Sequence, residues 1–213
     1  VSKVSIPSKD RELFSFLSKK EFSLPIEFPP TVHKELLSIK RRQNDSNRED
    51  FTHLPFVTID PVDAKDHDDA IYAVFPKNCQ KGETFCEIWI AIADVASYVT
   101  AGSNIDQEAM RRANSTYFLD SVIPMLPDKI SNDLCSLKKN KVRSAIVLKM
   151  SLDINGKRVS HEFFKGKILV RHNFSYEKVE ALQKELGSRN LSYLKEKKLI
   201  GNLYAANAVI TKS

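Results

Sequence analysis

Residues 55–74 read PFVTIDPVDAKDHDDAIYAV, and two apolar runs in it enclose a charged loop. LPFVTID (54–60) and AIYAVF (70–75) are rich in branched and aromatic residues, which predicts two strands. Between them stand Asp60, Asp63, Asp66, Asp68 and Asp69, five of the 27 acidic residues in ten positions. Like charges packed this closely repel, so ordering them costs free energy unless something neutralises them. Aspartate is also the short carboxylate, suited to hold a hard cation with oxygen. Three readings follow. The loop can be an acidic surface turn. It can be a calcium loop, although no glycine follows the aspartates and the flanks are strands rather than helices. It can be a Mg²⁺ or Mn²⁺ site for phosphodiester chemistry.

Working outward, TFCEIWIAIADV (84–95) predicts a strand antiparallel to 70–75 across the turn KNCQKGE (77–83). A helix is expected from Asn104 to Ala113 with Ser103 as its cap, then an irregular proline-marked stretch at 115–127. Residues 145–170, AIVLKMSLDINGKRVSHEFFKGKILV, carry apolar residues at Ile146, Leu148, Met150, Leu152 and Ile154, a period of two. Asn155-Gly156 predicts a two-residue hairpin turn with positive φ at both positions. Phe164, Ile168 and Val170 alternate in phase on the return strand. Helices are expected from about Ser175, with Val179, Leu182 and Leu186 aligned, and from about Leu191 to the end. Upstream, 8–20 and 31–42 predict helices, 24–30 a proline-broken linker and 43–50 a polar loop. The reading is α+β: a largely antiparallel sheet with surrounding helices, a helical lead-in over 1–50 and the main domain over 51–213.

Composition limits the function classes. The chain has 213 residues, 42% hydrophobic and 28% charged, with a formal net charge of +6. It is too apolar for a disordered polymer. Its most apolar stretch, Ile88 to Ala96, is too short for a membrane span and holds Asp94. Cys79, Cys86 and Cys135 form no CxxC pair, which fits reduced thiols and a cytoplasmic setting. The positive balance permits an acidic polymer as partner, with clusters at Lys40–Arg42, Lys138–Arg143 and Lys195–Lys198.

The run PFVTIDPVDAKDHDDAIYAV closely resembles the signature of the RNase II/RNase R (RNB) family of 3′-to-5′ exoribonucleases. IAIADVASYV (90–99) resembles a second block of that family, and RRANSTYFLDSVIPMLPDKISNDLCSL (111–137) a third. FPPTVHKE, SYEKVEALQKEL and LYAANAVITKS fit in order and spacing, nearer the RNase R branch.

The resemblance implies hydrolysis of single-stranded RNA to 5′-nucleoside monophosphates with Mg²⁺, Mn²⁺ being a possible substitute. It implies Asp60, Asp66, Asp68 and Asp69 as metal ligands and Tyr117 as the residue holding the terminal nucleotide. Asp66, Asp68 and Tyr117 would be the catalytic set, with Asp68 most tightly tied to the chemistry. Asp63, Asp94, Ser131 and Asn132 receive no role. His67 stands where the family often has an aromatic or aliphatic residue, and it is expected to face solvent. Ser97 stands where many relatives carry His.

The family's catalytic domain continues beyond this length and there supplies an arginine, a glutamate and a base-stacking aromatic. The chain is therefore expected to be weak or inactive alone, with the C-terminal half of the domain as a partner if separately encoded. The alternative is a non-catalytic remnant or RNA-binding module of a split or decayed ribonuclease.

Overall fold

The computed structural model describes residues 8–40, 47–76, 84–184 and 194–211. Two compact units appear, one built from Val1–Arg42 and Ala96–Ile130, the other from Gln43–Val95 and Ser131–Ser213.

The second unit holds β1 (Glu49–Asp50), β2 (Phe56–Asp60), β3 (Asp69–Val74) and β4 (Cys86–Ala93), with β7 (Val142–Leu152) and β8 (Arg158–Ser175) later in the chain. β2, β3, β4, β7 and β8 pair antiparallel in succession. β8 then turns to pair in parallel with β2, so these five strands close into a ring. Closure is possible because β8 is 18 residues long. Its first part, to Leu169, pairs with β7, and its last, from Val170, with β2. β1 adds a short parallel pairing at Gly166 and Lys167. The sheet is thus mixed, antiparallel except where β8 pairs with β1 and β2, and the α+β expectation holds.

The interior of a small barrel is filled by side chains, and the narrow parts demand small ones. Ala70, Ala91, Ala145 and Gly166 supply them, packed around Phe51, Phe56, Trp89, Val147, Ile168 and Val170. A second apolar layer lies under α4 (Tyr176–Lys184) and α5 (Leu194–Ile210). Val57, Phe174, Val179, Leu182 and Ile200 form one cluster there, and Ala73, Cys86, Ile88, Leu152, Ala206 and Val209 another. Val179 and Leu182 are buried as their spacing predicts, whereas Leu186 lies outside the described residues.

Of the alternating residues on β7, Leu152 is buried and Ile146, Leu148 and Met150 are half-buried, while Ala145 and Val147 fill the barrel. One expectation changes, at the hairpin turn, where Gly156 has φ of 82° but Asn155 does not take positive φ. Asp153 reshapes it: its carboxylate accepts the backbone N–H groups of Asn155 and Lys157, each at 2.9 Å, which favours a longer loop over the two-residue turn. The expected turn at 77–83 lies outside the described residues.

The first unit holds α1 (Ser8–Glu21), α2 (Pro30–Ser38), α3 (Asn104–Arg112) and the hairpin of β5 (Thr116–Tyr117) with β6 (Val122–Ile123). Ser103 caps α3 as expected, its hydroxyl accepting the Asp106 N–H at 3.3 Å. Arg112 closes the helix. Its guanidinium donates to Glu108 at 2.8 Å and to the carbonyls of Pro124 and Glu27 at 3.0 and 2.7 Å, and it lies 3.7 Å over the Phe28 ring. Among the described residues no helix is long and apolar enough to cross a membrane.

Candidate active site

The carboxylate loop joins two adjacent strands of the barrel. Asp60 ends β2 and Asp69 opens β3, with Val57 opposite Ile71 in the ladder. The loop's far end is tied to β4 by the Ala93 N–H, which donates to the Asp68 carbonyl at 2.8 Å. Its middle is tied to the segment before β7. The Ser136 hydroxyl donates to the Lys65 carbonyl at 2.7 Å and accepts the His67 N–H at 3.2 Å, and the Leu137 N–H donates to the His67 carbonyl at 2.8 Å.

Asp63, Asp66, Asp68 and Asp69 are exposed, and Asp60 is mostly covered. His67 is not the solvent-facing residue expected from the sequence. Its side chain is 13% exposed, with Nδ1 2.7 Å from Asp60 Oδ2 and 3.4 Å from Thr58 Oγ1. The cause is the backbone clamp at Ser136 and Leu137, which holds residue 67 against the end of β2. Asn173 extends this network, donating to Thr58 Oγ1 at 2.9 Å and to the Leu137 carbonyl at 3.1 Å.

The carboxylates sense one another. Asp69 is held above the ordinary aspartate range, first by partial burial of its carboxyl and then by the charges of Asp68 and Asp60. Asp60, Asp68 and Asp69 therefore share one electrostatic neighbourhood, and Asp66 is carried on the same loop. The all-oxygen donor chemistry suits a hard divalent cation. The positions are less closed than a finished cage: among the described residues, no group of three His, Cys, Asp or Glu side chains converges to hold a metal.

Tyr117 belongs to the other unit. It is 69% exposed and lines an open cavity of about 440 Å³ with Phe14, Ser15, Ser18, Phe118 and Leu119. α1 is fastened to the β5–β6 turn beside it by Ser15 Oγ donating to Asp120 and by Lys19 Nζ donating to Ser121 Oγ at 2.7 Å.

The two unassigned cysteines that are described, Cys86 and Cys135, are buried free thiols, which burial pushes up to about 11 and about 12. They are not poised nucleophiles at neutral pH. Sequence reasoning missed Ser136 and Asn173 as supports of the loop. The only available signal was that Ser136 lies in the third recognisable block. Asp94, left without a role, forms an ion pair with Arg48.

The RNB domain family matches residues 48–210, a stretch that contains the carboxylate loop, the whole barrel and Tyr117. This chain belongs to the RNB family. Ribonuclease R of Buchnera aphidicola from Acyrthosiphon pisum is 40% identical over 159 residues, 73% of this chain and 21% of that protein. Among solved structures, Mycoplasma genitalium RNase R in complex with double-stranded RNA superposes with a TM-score of 0.83 at 28% identity, covering 95% of this chain and 35% of that one. The same enzyme in complex with ribose-methylated single-stranded RNA gives 0.80 at 29% identity, covering 95% and 31%. The chain thus spans about a fifth of the curated relative's length and about a third of the solved one.

Proposed function

We propose that this chain is the aspartate-bearing part of a metal-dependent, hydrolytic 3′-to-5′ exoribonuclease that degrades single-stranded RNA in the cytoplasm. The observation that carries the reading is the clamped carboxylate loop between β2 and β3 in a chain of the RNB family. Asp60, Asp66, Asp68 and Asp69 would hold Mg²⁺, or Mn²⁺ in its place. A cation bound there would supply activation of water and charge neutralisation at the scissile phosphodiester. The protein's own part is to hold the loop backbone fixed and the carboxylates close together, and to present the last nucleotide through Tyr117. Orientation of that kind acts strongly on rate, so Tyr117→Ala should change the rate or the final fragment length.

The 213 residues alone are weak or inactive in this reading, because charge stabilisation at phosphate normally needs cationic groups as well as metal. A second reading, RNA binding without cleavage, is favoured by the failure of three carboxylates to converge among the described residues.

The test is degradation of uniformly labelled poly(A) with Mg²⁺, using the chain alone and with the remaining length of a ribonuclease R relative added as a separate polypeptide. The expected result is little cleavage alone. With the second polypeptide, 5′-nucleoside monophosphates should be released from the 3′ end, and Asp68→Asn should abolish this while RNA binding persists. Release of 3′-monophosphates, or cleavage indifferent to Asp68→Asn, would exclude the mechanism. RNA binding with no cleavage under any combination would favour the second reading.

A further inference from the structure

Five aspartates on one loop repel one another, so a loop fixed only at its strand ends would spread its carboxylates apart. In this fold it is also fixed at the middle. Ser136 is 1% exposed, and its hydroxyl is used in both directions, toward the Lys65 carbonyl and the His67 N–H. With the adjacent Leu137 N–H, three hydrogen bonds hold the residues on either side of Asp66 and immediately before Asp68. Ser136 is in turn anchored to the barrel. Its carbonyl accepts from Arg143 Nε on β7 at 2.9 Å. Asn173 on β8 holds the next residues, donating to the Leu137 carbonyl at 3.1 Å and accepting the Lys139 N–H at 2.7 Å.

We propose that Ser136 is the positioning residue of the carboxylate loop: it transmits the geometry of β7 and β8 to Asp66 and Asp68 through the backbone of 65–67, touching neither cation nor RNA. The inference rests on the loop being a divalent-cation seat. Supports one step removed from a metal typically change its affinity 10–100-fold when lost.

The experiment is calorimetric titration of Mn²⁺ into the 213-residue chain, comparing wild type, Ser136→Ala, Ser136→Cys and Ser151→Ala. Ser151 is a buried serine on β7 that makes none of the loop's bonds, so it reports the general cost of deleting a buried hydroxyl. Ser136→Ala should weaken Mn²⁺ binding by about tenfold, Ser136→Cys by less because the thiol keeps the volume and a weak donor, and Ser151→Ala not at all. Hydrogen exchange at the His67 and Leu137 amides should quicken in Ser136→Ala before metal is added. Wild-type affinity in a folded Ser136→Ala, or an equal loss in Ser151→Ala, would overturn the proposal. Where Ser136→Ala does not fold, Ser136→Cys with undiminished affinity would overturn it. A wild-type chain that ignores Mn²⁺ would remove the cation reading and this inference together, whereas binding unaffected at Ser136 would remove this inference alone.

Discussion

Asp69 carries a stability consequence that can be signed. Partial burial and the charges of Asp68 and Asp60 keep its proton on to higher pH than in the unfolded chain, whose ordinary value is 3.8. Between those two values the folded state binds more protons than the unfolded state, so stability falls as pH rises through the window and stays lower above it. Asp69→Asn should therefore raise the metal-free melting temperature at pH 7 and flatten its acid-side pH dependence. It should also reduce stabilisation by saturating Mn²⁺, which acts by mass action on the folded state. Scanning calorimetry over pH, with and without metal, checks both signs, and a lower metal-free melting temperature would refute the account. Arg112 makes the opposite case. Replacing it with Ala leaves Glu108 buried without one of its two arginines and strips two carbonyls of their donor. Breaking a buried pair this way costs about 3–5 kcal/mol, to be read from urea unfolding. The aspartates were legible in the sequence because composition alone singles out ten residues holding five of them. The supports were not, because Ser136 and Asn173 meet the loop only after β7 and β8 bring distant segments together.

Among the elements, the longer barrel strands were legible: β2, β3 and β4 as short apolar runs bounded by turn or loop residues, β7 and β8 by their alternation. β1, β5 and β6 are two residues each and leave no periodic trace, so 49–50 passed for loop and 115–127 for irregular chain. Alternation alone did not say which face of β7 turns inward. The ring takes small residues beside its aromatic ones, and Ala145 with Val147 fills it while Ile146, Leu148 and Met150 stay half-buried. Gly166 gives the direct test of this packing. A Cβ there would come within 2.8 Å of both the Phe51 ring and the Val147 side chain. Gly166→Ala should destabilise the chain by about 1–3 kcal/mol through overpacking, measured by denaturant titration. A neutral or stabilising effect would show that the barrel interior is looser than described.

On the scale of the whole molecule, the apolar surface left in water sets how the isolated chain behaves. On α1 alone Leu13, Phe14, Phe16 and Leu17 are each at least half exposed, and the first residues of β8, Arg158–Phe163, are exposed as well. Exposed apolar patches and strand edges of this sort promote self-association. Light scattering after size exclusion should find the 213-residue chain self-associating as its concentration rises, whereas a monodisperse monomer at high concentration would contradict that. The central claim, that the loop from Asp60 to Asp69 seats a divalent cation, is tested most directly by anomalous diffraction from crystals of this chain grown with Mn²⁺. The account predicts an anomalous peak coordinated by the Asp68 carboxylate with others from Asp60, Asp66 and Asp69, and its loss in Asp68→Asn. Occupied Mn²⁺ sites elsewhere on the chain with none at this loop would contradict it.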